Sequence, residues 1–222
     1  MSIGSWNNNK DFRKKIIFSD EAHFDLNGYV NKQNFRIWGE ENPKTIQEQQ
    51  FCPQIVTVWC GFWAEGVIGP YFFEDEDGKA LTINGNRYRE MVTNFLWPRL
   101  EGMDLQDIWF QQDGAITHTS RKTITLLQRK FSGCVISRNG DVNWPPRSYD
   151  LTPLYFFLWG YMKGKVYVNN PKKIEQPKDE IRSVIEGIEP QLCENVIENF
   201  DKRMTICRKS HGGHLSDVIF YL

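Results

Sequence analysis

The sequence predicts an α/β fold: a mixed five-stranded sheet, three antiparallel strands first, flanked by helices and followed by C-terminal helices. Three observations carry this expectation. Residues 15 to 73 hold short apolar runs rich in Val, Ile and Trp, broken by turn residues. Residues 86 to 137 alternate helical spacing with short apolar runs, and helical spacing dominates from residue 153 onward. A chain of 222 residues with 40% hydrophobic content is long enough to bury one substantial core. A single domain over 1–222 is therefore expected, with a core over about 13–168 and a helical extension over about 169–222.

Taken in order, residues 15 to 24 read as a strand, Arg36-Ile37-Trp38 as a short second one and Gln54 to Ala64 as a third. Gly66 then turns the chain into Val67 to Phe73. After the acidic loop Glu74 to Gly78, a short strand is expected at Ala80 to Ile83. Tyr88, Met91, Val92, Phe95 and Leu96 recur at helical spacing over residues 86 to 100, with Pro98 near the end. A strand at 107 to 112 follows, then a helix from about Thr119 to Phe131 and a strand at Val135 to Ser137. Trp144-Pro145-Pro146-Arg147 is a stiff loop, because each proline fixes its own φ and pushes the residue before it toward extended geometry. Thr152-Pro153 reads as a helix start with Thr152 as the cap, and the helix runs to about Lys163. Helices over residues 177 to 187 and 190 to 208 read as packing material. Hairpin-connected strands followed by helix, strand, helix, strand and helix make the element order of a ribonuclease-H-like fold.

Composition narrows the function classes. A net charge of −1 creates no global field for nucleic acid, so any such contact rests on local patches. Lys163, Lys165, Lys172, Lys173 and Lys178 form one candidate patch and Arg203 to Lys209 another, each against the plainer reading of a solvated helix face. The five cysteines are scattered without a CxxC pair, which argues for buried reduced thiols over a disulfide framework or zinc ribbon. No apolar run reaches the length of a membrane span and no leader pattern opens the chain, so an intracellular protein is expected.

The chemistry-bearing residues stand at the ends of two apolar segments, Ile16-Ile17-Phe18-Ser19-Asp20-Glu21 and Ile108-Trp109-Phe110-Gln111-Gln112-Asp113. Two strand-end acids that meet in space are the start of a magnesium site for phosphodiester chemistry. Glu21 follows Asp20 on a strand and should point to the opposite face.

These segments belong to a longer series: Phe18-Ser19-Asp20-Glu21-Ala22-His23-Phe24, Val58-Trp59-Cys60-Gly61, Gln111-Gln112-Asp113-Gly114-Ala115 with His118, Trp144-Pro145-Pro146-Arg147-Ser148, Asp150-Leu151-Thr152-Pro153-Leu154 and Phe157-Leu158-Trp159-Gly160. In order, spacing and identity the series closely resembles the catalytic domain of mariner-superfamily transposases of insect type, over nearly the whole chain. The resemblance implies a cut-and-paste DNA transposase with three acids on a ribonuclease-H-like core and a two-ion Mg2+ or Mn2+ site. By family pattern Asp20 is the first acid and Asp113 the second, and the third falls one residue after Leu-Thr-Pro-Leu, where this chain has Tyr155. In two-metal displacement one ion activates the nucleophile and the other stabilises the leaving oxygen, with anionic ligands holding both. A neutral phenol of pKa about 10 replaces a carboxylate poorly. The expectation is therefore a transposase-derived domain, catalytically impaired. The alternative is a host-recruited, non-catalytic DNA-binding or protein-interaction scaffold.

Other residues keep two readings. His118 would contact a phosphate or organise the second acid, or else brace the following helix; Trp144 and Arg147 would clamp DNA or pack a rigid loop. Asp150 reads as a brace for the loop before its helix, and His211 and His214 as loop residues rather than metal ligands. Only nineteen residues precede Asp20, so the paired helix-turn-helix modules of such transposases are expected to be absent, and specific DNA recognition with them. The expected partner is DNA, held weakly and without specificity, with room for a homodimer. A membrane and a small-molecule substrate are not expected, and a functional protein would work in the nucleus.

Overall fold

The computed structural model describes residues 10–26, 54–105, 107–145, 148–168, 171 and 173–210. A short helix α1 (Lys10–Lys14) leads into β1 (Ile16–Asp25), and β2 (Ile55–Trp63) and β3 (Gly66–Phe72) complete an antiparallel meander. Helix α2 (Gly85–Met91) widens into a π turn (Val92–Leu96) and closes as α3 (Trp97–Arg99). The wide turn sits just ahead of Pro98, which has no amide hydrogen to continue an α ladder. Then come β4 (Trp109–Gln111), α4 (Ile116–Thr119), α5 (Arg121–Gln128) and β5 (Val135–Ile136). Past a 3-10 turn (Tyr149–Leu151) and a second π turn (Leu154–Leu158), the chain ends in α6 (Trp159–Val166), α7 (Glu175–Glu186) and α8 (Pro190–Lys209).

The sheet order is β3-β2-β1-β4-β5, with β1 at the centre, antiparallel to β2 and parallel to β4. Alternation along β1 divides the core. Ile16 and Phe18 face a cluster shared with α6, α7 and α8, while Ile17 faces one shared with α2, α5 and Phe110 of β4. Phe18 is fully buried between Phe200 of α8, at 5.0 Å between ring centroids, and Trp144, at 6.5 Å. Burying a ring of this size contributes about 1.5–3 kcal/mol.

Several local expectations change. The strand expected at Ala80 to Ile83 reduces to one bridge, Glu74 to Ala80. The helix expected from about Thr119 to Phe131 runs from Arg121 to Gln128, with the short α4 ahead of it; between them Ser120 is extended (ψ 143°) and its hydroxyl accepts from the Thr123 amide, capping α5. Thr152 does not cap the turn that Pro153 opens; its hydroxyl donates to Ser148 O at 3.3 Å. Lys178 is buried against Glu74 (2.7 Å) and Glu175 (3.3 Å), so it is a tie between the acidic loop and α7 rather than part of an open basic patch. The expected strand at Arg36-Ile37-Trp38 lies outside the described residues, as do Cys52, Arg147, Lys172, His211 and His214. Cys60, Cys134, Cys193 and Cys207 are free thiols. No described helix is long and apolar enough to cross a membrane.

Candidate active site

Parallel pairing of β1 with β4 brings two acids to adjoining strand positions. The last registered pair is Phe18 with Gln111, and Asp20 and Asp113 each stand two residues beyond it. Asp20 continues the face of Phe18, toward α6, where the Trp159 indole donates to its Oδ2 at 2.9 Å. Burial, followed by the charge of Glu21, pushes the Asp20 carboxyl up to about 7; the Trp159 bond and the Glu21 amide pull down, and the charge of Asp113 adds to the rise. Across the β1–β2 pair lies Cys60, a buried thiol whose pKa is raised by burial and by the Asp20 charge.

Glu21 points to the other face. Its Oε1 lies 3.3 Å from Nε2 of His118, whose Nδ1 meets Oδ1 of Asp113 at 2.5 Å. The His118–Asp113 contact is an aligned hydrogen bond, whereas the His118–Glu21 contact is a charge pair without hydrogen-bond alignment. Burial opposes charge on His118, but Glu21 and Asp113 outweigh it and lift its pKa to about 10, so the ring is an imidazolium at neutral pH. Burial would likewise raise Asp113, yet the His118 bond and charge and the Ala115 amide, 2.9 Å from Oδ1, bring it below the usual carboxylate range.

A buried polar frame positions His118. Tyr88 of α2 donates to Gln112 Oε1 at 2.9 Å and lays its ring 4.3 Å from the imidazole, while Gln112 Nε2 donates to His118 O (2.9 Å) and Ser137 Oγ (3.2 Å). The sequence reading missed this frame. Its visible signal was Gln111-Gln112, polar residues closing an otherwise apolar strand.

Tyr155 lies four positions before Trp159 on the segment packed against β1. Buried Leu154, Phe156 and Leu158 fix that segment, while Tyr155 is 44% exposed and leans on Tyr149, ring centroids 5.1 Å apart. Asp150 is held through its carbonyl by Arg203 Nε of α8 (2.5 Å), with Nη2 3.9 Å from its carboxylate. That arrangement braces the loop. Trp144 is buried in the core, and His118 is buried with both ring nitrogens facing carboxylates. Among the described residues no three His, Cys, Asp or Glu side chains are grouped to hold a metal ion. The carboxylates of Asp20 and Asp113 are hard oxygen donors of the kind a divalent cation takes, whereas Tyr155 is a neutral phenol.

No protein-family model matches the chain. In sequence it is 25% identical to the Tc3 transposase of Caenorhabditis elegans over 194 residues, which are 81% of this chain and 55% of that protein, so the chain spans about half the length of this curated relative. In fold it is similar to the pre-cleavage Mos1 transpososome (TM-score 0.74, 18% identity, 96% of this chain and 60% of that one). It is also similar to the Mos1 mariner paired-end complex with Mn (0.72, 19%, 96% and 60%) and to the Mos1 transposase catalytic domain with Raltegravir and Mg (0.69, 18%, 96% and 90%). The fold is ribonuclease-H-like. The chain is thus similar in sequence to one transposase and shares its fold with the catalytic domain of another.

Proposed function

We propose that this chain is a transposase catalytic domain descended from an enzyme of metal-dependent DNA strand cleavage and transfer, and that Tyr155 impairs this activity. The observation that supports the reading is the parallel pairing of β1 with β4, with Asp20 and Asp113 each two residues beyond its last registered pair, while the segment ahead of α6 that packs against β1 carries the phenol of Tyr155. The solved Mos1 complexes with transposon ends, Mg and Mn support DNA as the substrate class and a divalent ion as the family's cofactor. Paired-end assembly in Mos1 supports a homodimer, and a domain that cuts chromosomal DNA would work in the nucleus. His118 acts here as a positioning residue that holds Asp113 ionised and oriented, rather than as a phosphate contact.

The test is nicking of supercoiled plasmid in Mg2+ or Mn2+ by the chain and by its Tyr155→Asp variant. A gain of at least about tenfold for the variant is expected, since a charge-stabilising group in such a site is worth several kcal/mol. Equal nicking by the two proteins would overturn the proposed impairment. No nicking by the variant, together with undiminished DNA binding, would favour the non-catalytic scaffold.

A further inference from the structure

We propose that the outer surface of α2 and α5 is a docking track for the phosphate backbone of duplex DNA, distinct from the carboxylate site. The inference rests on reading the chain as a DNA-handling domain. Between the two helices lies an open groove of about 560 Å³, lined by Arg89, Arg121, Lys122, Thr125, Leu126 and Arg129. Four of these six are cationic and none is acidic, in a chain whose net charge is −1. Solvated helix faces commonly interleave charges of both signs, but α5 (RKTITLLQ) contains no acid. Among the described residues none of the four cations forms an ion pair with a carboxylate; the Arg89 guanidinium donates to Asn86 Oδ1 and Thr123 Oγ1.

The spacing suits a polyphosphate. Arg121, Thr125 and Arg129 recur every four residues along one face, while Thr123, Ile124 and Leu127 are buried on the other. From Arg121 to Arg129 the helix rises about 12 Å at 1.5 Å per residue. That length spans about three to four phosphates of one strand at 3.4 Å of axial rise each.

Position links the track to the frame around His118. Tyr88, next to Arg89 on α2, turns inward to Gln112 and His118. Thr123 of α5 donates to Thr117 O at 2.8 Å, one residue before His118. The helices that support His118 from within thus carry these cations on the groove side, and His118 in turn holds Asp113.

The test is fluorescence anisotropy of a labelled duplex of arbitrary sequence across a salt series, without divalent metal. The groove triple Arg121→Gln/Lys122→Gln/Arg129→Gln is compared with a control triple of exposed cations outside the groove and outside both candidate basic patches, Lys79→Gln/Arg99→Gln/Lys202→Gln. If each groove cation meets a phosphate, the slope of log K against log salt should shrink by about 2 to 3 and low-salt affinity should fall at least about tenfold. The control triple should change little, and Arg121→Lys/Arg129→Lys should keep the slope. Unchanged binding by the groove triple would overturn the track while leaving the DNA reading intact. Equal losses in both triples, or the same loss in the Lys-for-Arg variant, would also overturn it. Absence of duplex binding by the unmodified chain at low salt would sink the track and the DNA reading together.

Discussion

Asp20 and Asp113 each stand two residues beyond the last registered pair of β1 and β4, yet an indole holds one and an imidazolium the other. On the α6 side, Asp20 is acted on by burial, two carboxylates and two hydrogen-bond donors, with no cation among them, and its carboxyl rises to about 7. On the α2 side, Asp113 and Glu21 share the buried His118 cation, and Asp113 stays ionised. One face of the sheet therefore carries its own counter-charge, while the other holds a carboxylate in a place that penalises its charge. Such opposed environments on paired acids are a common property of sites that handle charge. Here the first face stabilises the fold and the second strains it.

Removing the counter-charge breaks this contrast most strongly. His118→Gln should cost about 3–5 kcal/mol in urea unfolding, because it leaves Glu21 and Asp113 without their buried cation. The pH dependence has a definite sign. His118 binds its proton more tightly folded (about 10) than unfolded (6.5), so its stabilisation is full below pH 6.5 and is lost as pH rises through about 10. A wild-type stability advantage over His118→Gln that did not shrink across that window would contradict the imidazolium assignment.

The opposite face predicts a gain. In metal-free buffer at pH 8, Asp20→Asn should stabilise the chain by about 2–4 kcal/mol, since the folded carboxyl ionises near 7 and the unfolded one at 3.8. The penalty that the variant relieves develops between those values and vanishes below pH 3.8. Thermal melts at pH 8 and pH 3.5 check this, and a destabilised variant at pH 8 would show that Asp20 is satisfied as an anion. Trp159→Phe should cost about 1–3 kcal/mol by removing the one side-chain donor to Asp20, and should push that carboxyl further up, readable by carboxyl NMR titration. Tyr155→Asp should have the smallest effect, under about 1 kcal/mol, because the phenol is 44% exposed. A large loss would instead mean that the Tyr149–Tyr155 contact supports the fold, and the nicking comparison would need a variant of restored stability.

Much of the architecture was legible because strand and helix periods leave separate marks. Ile16, Ile17 and Phe18 announced a strand buried on both faces, and Ile124 with Leu127 announced the inner stripe of α5. The two aspartates were legible too, as acids closing apolar runs, although β1 continues past Asp20 to Asp25 and β4 ends two residues before Asp113. Glu21 was assigned to the face opposite Asp20 by alternation alone, and there it meets His118. Less visible was the short helix α4 ahead of Ser120, which the sequence reading left in the loop between β4 and α5. Lys178 read as part of a surface patch because its partner Glu74 is remote in sequence. Trp159 stood out as a motif residue without any sign that its indole would seek Asp20, since that bond joins positions 139 apart.

What the sequence determined by itself was local and periodic: which segments are strands and helices, and where the acids and Tyr155 stand along them. What only the tertiary structure decided was how each acid is charged, which cations are buried in ties and which are left to face a groove. Periodicity is written into neighbours along the chain, whereas a carboxylate's proton depends on burial and on charges that arrive from distant strands and helices only once the sheet has closed.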